Sequence, residues 1–251
     1  MINCGFTYIS PRTIGNTHYS TNNTMRRYEV ITVPKISELF DMSKTSAAKL
    51  FESCTYPWEV LPLISEFITK LGHELPEDEY DKLRANVWIS KSAKVAPSAY
   101  IAGPCIIEAG AEIRYCAYIR GSALIGKDAV VGNSCEIKNS ILFSRVQVPH
   151  FNYVGDSVLG FAAHMGAGAV TSNVKSDKSL VTVNTTDEKI KTGLKKCGAM
   201  LGDFVEVGCN SVLCPGSVVG KNSVIYPLSM VRGVIPENSI FKDTGNIVAK
   251  R

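Results

Sequence analysis

His150 and Tyr153 stand three residues apart in HFNYVGDSVLG, residues 150 to 160. An imidazole takes up a proton near neutral pH without large tuning, which is what a general base must do. Tyr153 and Asn173 offer neutral hydrogen-bonding groups close by in sequence. Arg120 and Lys138 lie eighteen residues apart. A planar guanidinium fork beside an ammonium point charge is the chemistry of a phosphate clamp. His164 is the second histidine of this region, with His18 and His73 far upstream. These groups can act together only if the fold gathers them.

The residues between them show how the fold would do so. Steps of six from Ile89 meet Val95, Ile101, Ile107, Ile113, Ile119, Ile125, Val131 and Ile137, an unbroken aliphatic column. The fifth position of each repeat is small: Ala93, Ala99, Cys105, Ala111, Ala117, Ala123, Ala129 and Cys135. A six-residue period suits neither a helix nor a simple strand alternation, but it suits a solenoid whose sides each turn one aliphatic residue inward. Three sides close a coil of eighteen residues, so Arg120 and Lys138 stack on successive coils of one face, with no acidic partner implied by that register.

The count slips by one residue after Ile137, resuming at Leu142, Val148 and Val154, and slips again to Leu159, Met165 and Thr171. After an interruption at about 172–200 it returns as Leu201, Val207, Leu213, Val219, Ile225 and Val231. Nine, six and six sides make about seven coils. His150 falls near a slip and follows Pro149, which predicts a side chain released from the regular column.

Outside the repeat the pattern changes. Residues 1–35 are polar and unpatterned and read as a flexible tail. Residues 36–86 carry helical spacing, as in Leu61, Ile64, Phe67, Ile68 and Leu71, and read as a small helical cap over an open solenoid end. The solenoid then occupies 87–240, with 241–251 as a C-terminal tail. The insertion at 172–200 holds six lysines, and an excursion the repeat does not need points to function.

A net charge of +4 from 27 basic and 23 acidic residues is too small and too mixed for nucleic acid. Eight cysteines without CxxC pairing read as reduced thiols of a cytoplasmic protein. No stretch reaches the roughly 18 apolar residues that span a bilayer, so no membrane association is expected. No metal site is expected either.

Hexapeptide repeats of this kind resemble the left-handed parallel β-helix family, which implies an all-β fold of that hand with a small N-terminal α-helical region. The handedness comes from the resemblance and runs against the usual crossover preference. Within it, the stretch from Arg120 to Asn173 resembles the acetyltransferase half of the bacterial bifunctional enzyme that makes UDP-N-acetylglucosamine, and related archaeal sugar-1-phosphate enzymes. HFNYVGD matches that family's H-x-x-Y-x-G-D element, and GAGAVTSN at 166–173 its G-A-G-T-x-T-x-N. The resemblance implies His150 as general base, Asn173 as the asparagine holding the reacting amine and acyl group, and Arg120, Lys138 and Tyr153 as substrate contacts. Lys178 is a further phosphate contact across a gapped alignment, and Gly208, Cys209 and Pro227 are acetyl-CoA contacts. Where the family has a substrate-contacting asparagine before its G-A-G, this chain has His164.

The implied activity is acetyl transfer from acetyl-CoA, as co-substrate, to the amine of an amino-sugar phosphate such as glucosamine-1-phosphate, by a homotrimer with sites between subunits. Residues 1–85 hold only the isolated glycines Gly5, Gly15 and Gly72, so no nucleotidyltransferase activity is expected. A non-catalytic scaffold or regulatory subunit is the alternative, since fold does not establish activity. A zinc hydrolyase on the same solenoid would need three histidines where the repeat has two of unsuitable spacing.

Overall fold

The computed structural model describes residues 31–185, 187–243 and 246–250. Residues 1–30, most of the segment read as a tail, lie outside them. The described residues from Val87 to Phe241 wind, outside the insertion, into a parallel β-solenoid. Its first face stacks Val87–Ser90, Cys105–Ile107, Ala123–Ile125, the second halves of Glu136–Leu142 and Tyr153–Leu159, then Ala199–Leu201, Ser217–Val219 and Val234–Ile235. The column also runs past Val231 through Ile235 and Phe241, both buried, so the solenoid is longer than counting to Val231 implies.

The aliphatic column is the core. Ile107, Ile119, Ile125, Val131, Ile137 and Val154 are fully buried, and the small residues Ala111, Ala117, Ala123, Ala129 and Cys135 are buried at the corners. Val95 is 37% exposed, because the first coil has a neighbour on one side only. Asn152 puts a larger polar side chain in the small column: it is buried there, and its amide donates to the Gly166 and Ala169 carbonyls at 2.7 and 3.0 Å.

The slips have a simple geometric origin. Val87 lies opposite Cys105 and Cys105 opposite Ala123, eighteen residues apart, whereas Ala123 lies opposite Ser140 and Ser140 opposite Ser157, seventeen apart. The longer coil turns its third corner through Gly121 and Ser122, both at positive φ, and the shorter coils through Asn139 or Asp156 alone, at φ 47° and 50°. The missing residue is therefore lost at the Asn139 and Asp156 corner. His150 stands in regular register opposite Asn133, so the irregularity does not release its side chain.

On the first face the middle residue of each strand points outward, yet Trp88, Ile106, Leu124, Ile141 and Val158 are apolar and buried. The N-terminal segment covers them. Its helices Ile36–Leu39, Ala48–Phe51 and Ile64–Glu74 lie along this flank, with Phe40 and Phe51 packed on Phe143 at ring distances of 5.1 and 5.9 Å. Ser144 donates its amide to the Lys44 carbonyl, Asp203 to that of Leu39, and Asn139 its side-chain amide to that of Leu61. The segment thus runs beside the coils instead of across an end, because the apolar surface needing cover is on the flank.

Antiparallel strands close the sheet edges instead: Tyr80–Arg84 against Val87–Ser90, and Asn246–Ala249 against Ser239–Asp243. Much of the stretch read as a C-terminal tail is therefore paired strand. The 172–200 insertion forms the hairpin Thr182–Asn184 with Lys189–Lys191, and the Cys197 amide bonds back to the Asn173 carbonyl at 3.0 Å. No helix among the described residues is long and apolar enough to cross a membrane. The seven described cysteines are unpaired, and no cluster of ligating side chains among the described residues could hold a metal.

Candidate active site

Arg120 and Lys138 do stack on successive coils: Ile119 lies opposite Ile137, and the Arg120 amide donates to the Ile137 carbonyl. Both cations, however, have acidic partners, where the sequence reading expected none. Arg120 Nη1 reaches Glu136 Oε1 at 2.7 Å on an exposed surface, and Lys138 Nζ reaches the Asp156 carboxylate at 3.0 and 3.1 Å. Glu136 reaches Arg120 diagonally from the coil that carries Lys138, which vertical stacking does not reveal.

Asp156, given no role by the sequence reading, is the hub of this corner. It is buried and at positive φ, and its carboxylate accepts from Lys138, from the Asn139 amide at 2.9 Å and from the Asn173 amide. Asn173 also donates to Tyr153 Oη at 3.0 Å. Tyr153, Lys138 and Asn173 are thus brought together. Burial, reinforced by the Asp156 charge, raises the Tyr153 phenol above its ordinary value, so it is neutral at physiological pH. The Cys197 thiol, whose backbone pairs with Asn173, is pushed up to about 12 by burial and is no nucleophile here. Asp156 had a readable signal, since it follows Lys138 by the same eighteen residues that separate Lys138 from Arg120.

His150 occupies the neighbouring face, at the end of strand Gln147–His150, one corner away from Tyr153. Its ring is exposed and makes no hydrogen bond or ion pair among the described residues. Its backbone is held firmly: Asn152 Oδ1 accepts the His150 amide at 3.0 Å, and Gly168 donates to its carbonyl. The backbone ladder continues from Ala167 to Asn210 and from Cys209 to Leu228, which sets Asn133, His150, Ala167, Cys209 and Pro227 in one column. Exposed Cys209 stands two rungs above His150, about 10 Å away at ~4.8 Å per rung. Gly208 backs directly onto Pro227, with no room for a side chain between them. The residues read as acetyl-CoA contacts therefore share an edge with His150 rather than with the Lys138 cluster.

The other two positions are separate. His164 lies on the face of His150, with Nδ1 2.7 Å from Glu206 Oε2 on the next coil. Lys178 is exposed in the turn that starts the insertion, its amide bonded to the Lys175 carbonyl.

The geometry thus offers an unpaired imidazole at one edge and a neutral phenol, an amide and a buried ion pair around the corner. Residues 101–195 match the family described as the GMPPB C-terminal domain. Two relatives named bifunctional protein GlmU, from Methanococcus maripaludis strains S2 and C7, are 30% and 33% identical over 231 and 248 residues. Each alignment covers 90% of this chain and 56% of the relative. Among solved structures, AntD, an N-acyltransferase from Bacillus cereus, matches with a TM-score of 0.33 at 19% identity, over 71% of this chain and 88% of that one. The chain spans about half the length of the curated relatives it matches, and it is a hexapeptide-repeat protein that resembles those bifunctional proteins along nine tenths of its own residues.

Proposed function

We propose that this chain is an acetyl-CoA-dependent acyltransferase that acetylates the amine of an amino-sugar phosphate such as glucosamine-1-phosphate. The amine nitrogen attacks the thioester carbonyl while His150 removes the amine proton. The tetrahedral intermediate then collapses, the carbon–sulfur bond breaks, and CoA leaves as a thiol with the proton returned. Asn173 keeps one amide hydrogen on Asp156 and turns the other from Tyr153 Oη to the developing oxyanion, and the released Tyr153 phenol orients the acceptor. Arg120 and Lys138 hold its phosphate, Arg120 by exchanging the exposed Glu136 carboxylate for it. His164 and Lys178 bound the acceptor, and Gly208, Cys209 and Pro227 flank the CoA chain.

The observation that carries this reading is the exposed, unpaired His150 ring, fixed through its backbone, on the same edge as the Cys209 and Pro227 column. The relatives support it, one being a bifunctional sugar-1-phosphate nucleotidylyltransferase/acetyltransferase of Sulfurisphaera tokodaii. His150 and the Lys138 cluster sit on either side of a corner, and Tyr118, Phe151, Val212, Leu228 and Met230 are exposed along it and the adjoining face. A homotrimer that seats this surface against a second copy completes the site.

The ion pairs on Arg120 and Lys138 favour a second reading, a scaffold whose former site is filled by its own carboxylates. Thiol release from acetyl-CoA with a panel of amino-sugar phosphates decides between them. His150→Ala should lower turnover roughly 10²- to 10⁴-fold with the coil intact. Wild-type turnover in that variant refutes the base assignment, and no thiol release by the wild-type protein with any acceptor favours the scaffold.

A further inference from the structure

Asp156 occupies a position that the solenoid does not need to be acidic. One coil below, Asn139 turns the same corner at nearly the same φ, and one coil further down Gly121 and Ser122 do so. A buried carboxylate is costly unless paired and hydrogen-bonded, and positive φ suits asparagine at least as well. Asp156 nevertheless collects three donors from two coils: Lys138 and Asn139 from the coil below, and Asn173 from the coil above. Its own carbonyl accepts the Gly198 amide, where the insertion rejoins the coil. Two of its three side-chain donors have roles in the acyl-transfer reading, Lys138 on the acceptor phosphate and Asn173 on the oxyanion.

We propose that Asp156 is the positioning residue of this site: its carboxylate holds the Lys138 ammonium and the Asn173 amide as one unit beside Tyr153, so that acceptor phosphate and reacting carbonyl meet groups already in place. The inference rests on the acyl-transfer reading. It fits the burial of the two cations: Lys138, its ammonium drawn toward Asp156, is the more buried, while Arg120 has only an exposed partner to release. An acceptor phosphate then finds Lys138 in position and draws Arg120 in.

Asp156→Asn tests this, because asparagine tolerates the corner conformation while removing the charge and leaving one acceptor oxygen where the carboxylate has two. With glucosamine-1-phosphate and acetyl-CoA, the variant should show a KM for the sugar phosphate raised at least tenfold and a reduced kcat, with the KM for acetyl-CoA unchanged. Lys138 should also react faster with acetic anhydride, read by peptide mass spectrometry, since its ammonium loses its partner. A folded variant with wild-type constants and wild-type Lys138 labelling overturns the proposal. If Asp156→Asn does not fold, Asp156→Glu, which shifts the carboxylate by one methylene, takes its place, and wild-type constants there overturn it equally. If the wild-type protein releases no thiol with any amino-sugar phosphate, the acyl-transfer reading falls and this proposal with it. If the wild-type protein turns over and the variant matches it, only this proposal falls.

Discussion

The phenol of Tyr153 lies over Gly155, in the space that a Cβ on Gly155 would fill. This places Tyr153 Oη within hydrogen-bonding reach of Asn173 and beside the Asp156 corner. Gly155 is thus absent a side chain for the sake of its neighbour's ring, and the Y-x-G-D spacing is a packing requirement.

Gly155→Ala should displace the Tyr153 ring and break its bond to Asn173 while the coil persists. We expect kcat/KM for the sugar phosphate to fall by tenfold or more, a transition-state loss of at least about 1.4 kcal/mol. Near-UV circular dichroism should report the moved tyrosine, with the far-UV spectrum unchanged.

Asn152→Ala should be costly to stability. It leaves the His150 amide and the Gly166 and Ala169 carbonyls without their side-chain partner inside the coil. Each of the three lost buried hydrogen bonds is worth roughly 0.5–1.5 kcal/mol. Urea unfolding should show a loss of several kcal/mol, and a change within 0.5 kcal/mol, roughly the noise of a surface substitution, would show that Asn152 does not tie the coils.

Glu136→Gln separates the exposed pair from the buried one. The Arg120–Glu136 contact is solvent-accessible and such pairs are worth about 0–1 kcal/mol, so stability should barely change. Freed of its carboxylate, Arg120 should bind acceptor phosphate better, lowering the KM for the sugar phosphate several-fold in steady-state assays. An unchanged KM would remove Arg120 from the phosphate site.

Glu108 sets a pH dependence. It is buried just after strand Cys105–Ile107, and burial raises its carboxyl above the ordinary carboxylate range despite an amide bond from Lys127 at 3.0 Å. The folded state therefore binds this proton more tightly than the unfolded state. Stability from this group is present at low pH and is lost as pH rises through its folded value. Glu108→Gln should remove that loss, so its melting temperature should exceed that of the wild-type protein at pH 7 to 8 and the gap should close on acidification. A gap that widens on acidification would reverse the assigned sign.

Much of this molecule is written in a one-dimensional pattern. The six-residue column and its small corners specify a solenoid because each side must turn one aliphatic residue inward and each corner has room for little else. Even the slips are visible as numbers. Their meaning is not, because a missing residue could be lost anywhere between two column positions. Only the folded chain shows that it is lost at the third corner, where Asp156 results, and not near His150.

The pairings were hidden for a related reason. Counting by eighteen finds Arg120, Lys138 and Asp156 in one line, but Glu136 reaches Arg120 diagonally across a rung, and that the Asp156 side chain turns to Lys138 depends on rotamers and corner geometry. Asn152 breaks the rule of small corners, and its burial follows from amide bonds to carbonyls that no spacing identifies. Likewise the apolar outward residues of the first face, Ile106 and Leu124 among them, carry no sign of what covers them until the helices are seen along that flank. Periodicity set which residues face inward, because that is a property of the backbone repeat. Which charges neutralise one another, and which groups share an edge with His150, depended on three-dimensional proximity between coils of unequal length.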